Sequence, residues 1–224
     1  MTKEISWFLV IVALLTICPP IMADTLTIKT TRKLVVIDPG HGGSDPGITS
    51  PSGILEKQIT LELARMITEQ LSDQYQPLLT RTRDMDLAAT DRAAFANQNK
   101  ADLYLSIHLH TQRNRVFFFY FDTPDTELAQ NNTHWRTQNL THLTESRQGA
   151  TLFAKTFQNL NKETRPSFGP APAILLEGLQ MTAVLTEPFT IFDIPGTTAE
   201  RQDFLSPYAN TLARAIEACF KNQF

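Results

Sequence analysis

The sequence predicts an α/β domain, with a mostly parallel twisted sheet and helices on both of its faces. Short apolar runs typical of buried strands alternate along the chain with segments whose apolar residues recur at helical spacing. Strands that alternate with helices form parallel pairs, because each helix crosses the sheet between two strands. The polar residues at the carboxyl ends of such strands gather along one edge, where ligands bind. We therefore expect a functional site at that edge.

Apolar and aromatic runs mark the strands. We predict strands at Lys33–Ile37, Leu78–Thr80, Leu103–Ile107, Arg115–Phe121 and Ala183–Thr186. The fourth run contains five consecutive aromatic residues, which indicates a strand covered on both faces. A role for these rings in stacking against a substrate has less support.

Helical spacing and capping residues mark the helices. In the first helix Ile59, Leu63, Met66 and Ile67 share one face. Thr90 and Ser206 are the expected N-caps of two later helices, and Pro207 suits a first turn. The predicted helices are approximately Glu56–Ser72, Thr90–Asn99, Gly149–Leu160 and Ser206–Phe220.

Between the aromatic strand and the third helix, residues 123–147 are polar and rich in asparagine and threonine. They lack a clean period, so we predict an insertion or a mobile loop there. The histidines of this stretch, His134 and His142, are expected to be exposed.

Composition indicates one globular enzyme-sized domain. The chain has 224 residues, of which 42% are hydrophobic and 19% charged, enough for a substantial core. The formal net charge is -3 and no basic patch carries interleaved aromatics, so we expect no nucleic-acid partner. We expect a monomer.

The first residues have the form of a secretory signal peptide, residues 1–23, followed by a short linker at 24–32. The apolar run Trp7–Cys18 is shorter than the ~20 residues that span a bilayer. We expect cleavage after Ala23, export to the periplasm or the cell exterior, and no membrane association afterwards. An uncleaved anchor is less favoured, and Ile17 is too large for a usual lipidation site at Cys18.

Removal of the signal would leave Cys219 as the only cysteine, so no internal disulfide is expected. Cys219 shares a helical face with Leu212, Ala213 and Ile216. We interpret it as a small core residue and not as a nucleophile.

Three residues have the chemistry of a zinc site. His41 lies in the glycine-rich turn that follows the first strand, Glu56 opens the first helix, and His108 follows the third strand. Zinc in hydrolases is commonly held by three nitrogen and oxygen ligands, with a water in the fourth position. Each residue alone would be read as an ordinary core or turn residue, but together they favour a metal site.

A further carboxylate, Glu187, ends the last predicted strand. In a parallel sheet this strand end lies at the same edge as the ends of the other strands. We therefore expect Glu187 beside the candidate metal site.

These residues lie in phrases that carry a family resemblance. In order, they are DPGHGGSDPG, GILEKQITLELA, LLTRTRD, DRAAFANQNKADLYLSIH and AVLTEPF. The chain resembles the zinc-dependent N-acetylmuramoyl-L-alanine amidases, whose catalytic domain is often called amidase type 3. The resemblance covers nearly everything after residue 33 and makes 33–224 the catalytic domain.

The resemblance implies one zinc ion held by His41, Glu56 and His108, with Glu187 as the catalytic carboxylate. It implies peptidoglycan as the substrate, cut at the amide between N-acetylmuramic acid and L-alanine, and it allows a protein activator. Some cell-division members carry a regulatory helix that blocks the zinc site. In this chain the analogous blocking residue would be Glu127 or Glu145 of the polar segment. The favoured interpretation of that segment is a solvated loop.

Two other functions stay open. A zinc carboxypeptidase would need a cation for the terminal carboxylate of its substrate, for which Arg81, Arg83 and Arg92 are candidates. An inactive peptidoglycan-binding relative is supported only by the residues that follow His108 and Glu187, which differ from the usual pattern of the family. One of these, His110, is expected in an exposed loop, with a contact to the site as the alternative.

Overall fold

The computed structural model describes residues 32–71, 73–123, 134–158, 160 and 164–222. The predicted signal peptide, nearly all of the linker, and Glu127 lie outside these described residues. Among the described residues, no helix is both long and apolar enough to cross a membrane.

A single mixed sheet organises the described part of the chain, and its strand order is β2-β1-β3-β6-β4-β5. Neighbouring strands are parallel except for the β4–β6 pair, which is antiparallel. The strands are β1 Lys33–Pro39, β2 Tyr75–Leu79, β3 Leu103–Ile107, β4 Arg115–Phe121, β5 Arg165–Ala171 and β6 Thr182–Glu187. The predicted mostly parallel sheet is confirmed.

Helices cover both faces of the sheet, as predicted. The helices are α1 Glu56–Gln70, α2 Ala89–Gln98, α3 Leu143–Phe157 and α4 Thr198–Lys221, with 3-10 helices at Trp135–His142, Ile174–Leu176 and Ile191–Asp193. Helices α1, α3 and α4 bury their apolar faces in the larger core on one side. Helix α2 and the Ile174–Leu176 turn pack on the other side.

Three predicted helix starts are wrong. Helix α3 begins at Leu143, six residues before the predicted Gly149. Helix α2 follows Ala88, whose side chain makes no capping bond, so Thr90 lies inside the helix. Helix α4 begins at Thr198, because Thr197 caps it: its hydroxyl accepts from the Glu200 amide and donates to the Glu200 carboxylate at 2.6 Å. This threonine and the glutamate three residues later form a capping-box signal that the sequence analysis missed.

Pro207 lies in the interior of α4, not at its start. Proline cannot donate the helical hydrogen bond to the carbonyl four residues earlier, which belongs to Asp203. Pro207 and Asp203 are both exposed, so water can bond that carbonyl and the helix continues.

The polar segment is not a loop in its described part. From Trp135 onward it forms a 3-10 helix that leads directly into α3. Its polar side chains bond backbone groups: the Asn139 amide donates to the Leu176 carbonyl at 3.1 Å, and the Ser146 hydroxyl accepts from the Ala183 amide at 3.0 Å. These buried polar contacts explain why the stretch lacks an apolar period. His134 and His142 are half-buried, not exposed.

Strand β5 was not predicted, because its sequence RPSFGPA contains two prolines and a glycine. It lies at the edge of the sheet, where proline is tolerated. Its neighbour β4 is not covered fully on both faces: Val116, Phe118 and Tyr120 are buried, whereas Phe117 and Phe119 are half-buried.

Cys219 is fully buried in the larger core, which confirms its prediction as a core residue. Burial raises the pKa of its thiol to about 12. The thiol is therefore un-ionised at neutral pH and unreactive.

Phe118 provides a test of the core. Its ring is fully buried against Phe153 and Phe157, so Phe118→Ala should lower the free energy of unfolding by about 3–5 kcal/mol. The matched control is Phe168→Ala, since Phe168 pairs with Phe118 in register but is 47% exposed. Urea unfolding followed by circular dichroism measures both variants. Equal losses would contradict this packing.

Candidate metal centre

The turn after β1 holds His41 in a rare backbone conformation. The φ angle of His41 is 62°, in the left-handed region that residues other than glycine seldom adopt. Two backbone hydrogen bonds between Gly42 and Asp45, of 3.0 and 3.1 Å, close the turn. The Gly40 amide bonds the Ile107 carbonyl at 2.9 Å and so ties the turn to β3.

Two buried arginines hold the carbonyl groups of this turn. Arg81 donates to the Pro39 carbonyl at 2.9 Å and to the Gly40 carbonyl at 2.8 Å. Arg92 donates to the Pro39 and His41 carbonyls, both at 2.9 Å, and pairs with buried Asp38 at 2.7 Å. Three consecutive carbonyls are thereby fixed by two guanidinium groups, which positions the His41 side chain.

Glu56 is the first residue of α1, and its carboxylate is 1% exposed. Its Oε2 accepts from the Ile48 amide at 2.8 Å, and its Oε1 accepts from the Leu109 amide at 2.7 Å. Burial alone would raise the pKa of Glu56, but hydrogen bonds from His108, His41 and the Ile48 amide outweigh burial and lower the pKa to about 2. The carboxylate is therefore fixed in orientation and ionised.

His108 follows β3, and its amide donates to the Thr186 carbonyl of β6 at 2.9 Å. A side chain on Gly40 would collide with the His108 ring, since a Cβ there would lie 2.4 Å from it. The glycine of the turn therefore lets this ring approach the backbone closely.

The structure brings three of the four predicted site residues into one cluster. The His41 Nε2 atom lies 3.1 Å from Glu56 Oε1 and 3.1 Å from His108 Nδ1, and the last two atoms are 3.4 Å apart. Together they form a group that could hold a metal ion. Ligands about 2.0–2.2 Å from a tetrahedral zinc ion lie about 3.3–3.6 Å from each other. One separation falls in this range and two are about 0.2 Å shorter, and the donor types suit zinc.

Glu187 is the last residue of β6 and lies at the same edge of the sheet. Thr186 pairs in parallel register with Ile107, so the next residues along the two strands, Glu187 and His108, are neighbours. Burial and, to a smaller extent, the charge of Glu56 raise the pKa of Glu187 to about 7. Near neutral pH this carboxyl group is thus able both to accept and to release a proton.

On its other side Glu187 is paired with Phe117 of β4. The Phe117 ring stacks against Phe119, with centroids 5.8 Å apart, and the Arg115 guanidinium lies 5.3 Å from its centroid. An aromatic surface therefore borders the candidate site.

The prediction that His110 lies in an exposed loop is wrong. His110 is buried, its Nε2 lies 3.0 Å from the Arg115 carbonyl, and its Nδ1 accepts from the Gln112 amide at 3.0 Å. Its ring also meets Phe117 edge-on at 5.0 Å. Burial lowers the pKa of His110, so this neutral imidazole links β4 to the segment after β3 and does not contact the metal cluster.

The regulatory candidate Glu145 lies in the first turn of α3. Its neighbour Ser146 bonds the Ala183 amide, near the amino end of β6, whereas Glu187 is at the carboxyl end. Four residues of strand span about 13 Å. Glu145 therefore lies toward the end of β6 that is away from the candidate site.

The family model for N-acetylmuramoyl-L-alanine amidase, amidase type 3, matches residues 35–218. The sporulation-specific N-acetylmuramoyl-L-alanine amidase of Bacillus subtilis is 44% identical over 80 residues, which are 34% of this chain and 31% of that protein. The match thus spans about a third of that relative's length.

Solved structures show the same fold. The N-acetylmuramoyl-L-alanine amidase of Clostridium difficile 630 matches with a TM-score of 0.67 and 23% identity, over 86% of this chain and 99% of that one. The CwlD amidase of Clostridioides difficile, solved in complex with the GerS lipoprotein, matches with a TM-score of 0.62 and 19% identity, over 85% and 98%. Because the family model covers most of the sequence, this chain belongs to the amidase type 3 family of N-acetylmuramoyl-L-alanine amidases.

Proposed function

We propose that this protein is a zinc-dependent peptidoglycan amidase that cleaves the bond between N-acetylmuramic acid and the L-alanine of the stem peptide. The observation that carries this proposal is the convergence of His41 Nε2, Glu56 Oε1 and His108 Nδ1 beside Glu187, in a chain of the amidase family. Residues 33–224 are the proposed catalytic domain.

In this mechanism His41, Glu56 and His108 hold the zinc ion. Bound there, zinc supplies a Lewis acid that polarises an amide carbonyl and acidifies water. The Glu56 carboxylate is bonded to two backbone amides and remains ionised, so it contributes negative charge and a fixed direction.

Glu187 transfers a proton from the attacking water to the leaving group. Its carboxylate takes a proton from the attacking water and returns it to the nitrogen of the leaving L-alanine, the usual double duty of a general acid and base. A pKa of about 7 suits both halves of this cycle at neutral pH. The aromatic surface around Phe117 lies beside this carboxyl group and would exclude water from one side of it.

A carboxypeptidase is less well supported by the described arginines. Arg81 and Arg92 are 2% and 3% exposed, and their guanidinium groups are bonded to the carbonyls of the His41 turn. They are therefore not available to bind the terminal carboxylate of a substrate. Arg83 is exposed, and its link to these groups is through its backbone carbonyl, which accepts a hydrogen bond from Arg81.

We further propose that residues 1–23 direct export, that the protein acts in the cell envelope as a monomer, and that it accepts a protein activator. The signal-like sequence supports export. The GerS complex of CwlD supports the activator only by likeness of fold.

The first prediction from this mechanism concerns Glu187. Glu187→Gln should lower the rate of peptide release from purified peptidoglycan about 10²–10⁴-fold, because the amide cannot accept or donate this proton. Zinc content should be unchanged. Mass spectrometry would identify stem peptides with a free L-alanine amino terminus. The control is Glu145→Gln, a half-buried glutamate on α3 that should keep full activity.

Three results of this assay would contradict the proposal. Shortened stems still attached to the glycan would make the protein a carboxypeptidase. Intact stems with retained binding to sacculi would make it a binding module. Equal activity of the Glu187→Gln and wild-type proteins would remove the proposed role of Glu187.

The second prediction concerns the metal. Treatment with a chelator should abolish peptide release and lower the melting temperature, since an ion that binds only the folded state stabilises it. Added zinc should restore both. His108→Ala should bind less than one zinc ion per chain by elemental analysis, whereas His142→Ala should bind as much as wild type. Full activity of the chelated protein would contradict the metal site.

A further inference from the structure

His41 is contacted by carboxylates at both ring nitrogens. Its Nε2 faces the metal cluster through Glu56 Oε1, at 3.1 Å. Its Nδ1 lies 2.8 Å from the Oδ2 atom of Asp45, outside the cluster. The second contact has no part in the mechanism described above.

This second contact suits the tautomer that a metal-bound His41 would need. An ionised carboxylate only accepts hydrogen bonds, so a bond to Asp45 requires the proton on Nδ1. A metal ion bound among Nε2, Glu56 and His108 would take the lone pair of Nε2, so the ring proton would then lie on Nδ1, where Asp45 accepts it.

Asp45 is itself held in place, although its side chain is 63% exposed. Its backbone makes both hydrogen bonds to Gly42, and its Oδ1 accepts from the Gly47 amide at 3.1 Å. Gly47 has a φ of 65°, and a Cβ on it would lie 2.6 Å from the His41 ring. The turn therefore brings the Asp45 carboxylate against His41 with little freedom.

The other histidine has no matching support. Among the described residues, the buried Nε2 atom of His108 has no hydrogen-bond partner. The two imidazoles of the cluster therefore differ: one is oriented by a carboxylate, and the other by the close approach of Gly40.

We propose that Asp45 is a positioning residue of the metal centre, whose carboxylate holds His41 in the tautomer and orientation in which Nε2 binds the ion. This inference rests on the proposed metal site. Carboxylates in this position behind a histidine ligand typically raise metal affinity about 10–100-fold.

The test measures the zinc dissociation constant by competition with a chromogenic chelator. Asp45→Ala should weaken zinc binding about 10–100-fold. Asp45→Asn keeps an oxygen that can accept from Nδ1, so it should recover most of the lost affinity. Circular dichroism confirms that each variant is folded.

The matched control is Asp86→Ala. Asp86 is another exposed carboxylate of the same region, and it accepts from the amide and hydroxyl of Ser44 at 2.7 and 2.6 Å. It holds the turn but has no contact with His41, so its removal should leave zinc affinity unchanged. An equal loss in Asp45→Ala and Asp86→Ala would overturn the inference, because order of the turn would then be the cause.

A second readout is the nitrogen-15 spectrum of the His41 ring in the zinc-loaded protein. Wild type should show a protonated Nδ1, whereas Asp45→Ala should show faster exchange of that proton. If wild type binds zinc and Asp45→Ala binds it equally tightly, the role of Asp45 is overturned but the metal site is not. Absence of zinc binding in wild type would overturn the metal site and this inference with it.

Discussion

The candidate metal site depends on hydrogen bonds from two buried guanidinium groups to the backbone carbonyls after β1. Arg81 and Arg92 together bond the carbonyls of three consecutive residues, and the last of these, His41, has a positive φ. Such a conformation persists only where its surroundings impose it. The buried charge of Arg92 is balanced by Asp38 at 2.7 Å, and removal of one member of a buried pair costs about 3–5 kcal/mol. The arginines are thus structural elements of the candidate metal site.

Parallel strand pairing then brings the other residues of the candidate site together. Strands β1, β3 and β6 are adjacent, and their carboxyl ends carry His41, His108 and Glu187. Glu56 enters from α1, and its carboxylate accepts hydrogen bonds from the Ile48 and Leu109 amides, which direct it at the histidines. Glycine at position 40 leaves room for the His108 ring. Each ligand is therefore held by backbone geometry, so the cluster is already assembled in the folded chain.

The sequence was sufficient for features that depend on local pattern. Apolar runs located five of the six described strands, and the positions of His41, His108 and Glu187 at or just after strand ends are as predicted. Features that depend on distant contacts were not predictable. Nothing near Arg81 indicates that it bonds carbonyls about forty residues earlier in the chain. His110 and the helical part of the polar segment were misjudged for the same reason, because their partners become visible only in the folded chain.

The two glutamates of the candidate site show how environment separates the pKa values of residues of one type. Both are buried, and burial raises the pKa of any carboxyl group. Glu56 receives hydrogen bonds from two imidazoles and from the backbone, and its pKa falls to about 2, whereas burial leaves that of Glu187 at about 7. A zinc ion bound by Glu56 would replace the repulsion between the two carboxylates with attraction and would lower the pKa of Glu187. Burial, the larger cause, would still act to raise that pKa, so burial is what separates Glu187 from Glu56.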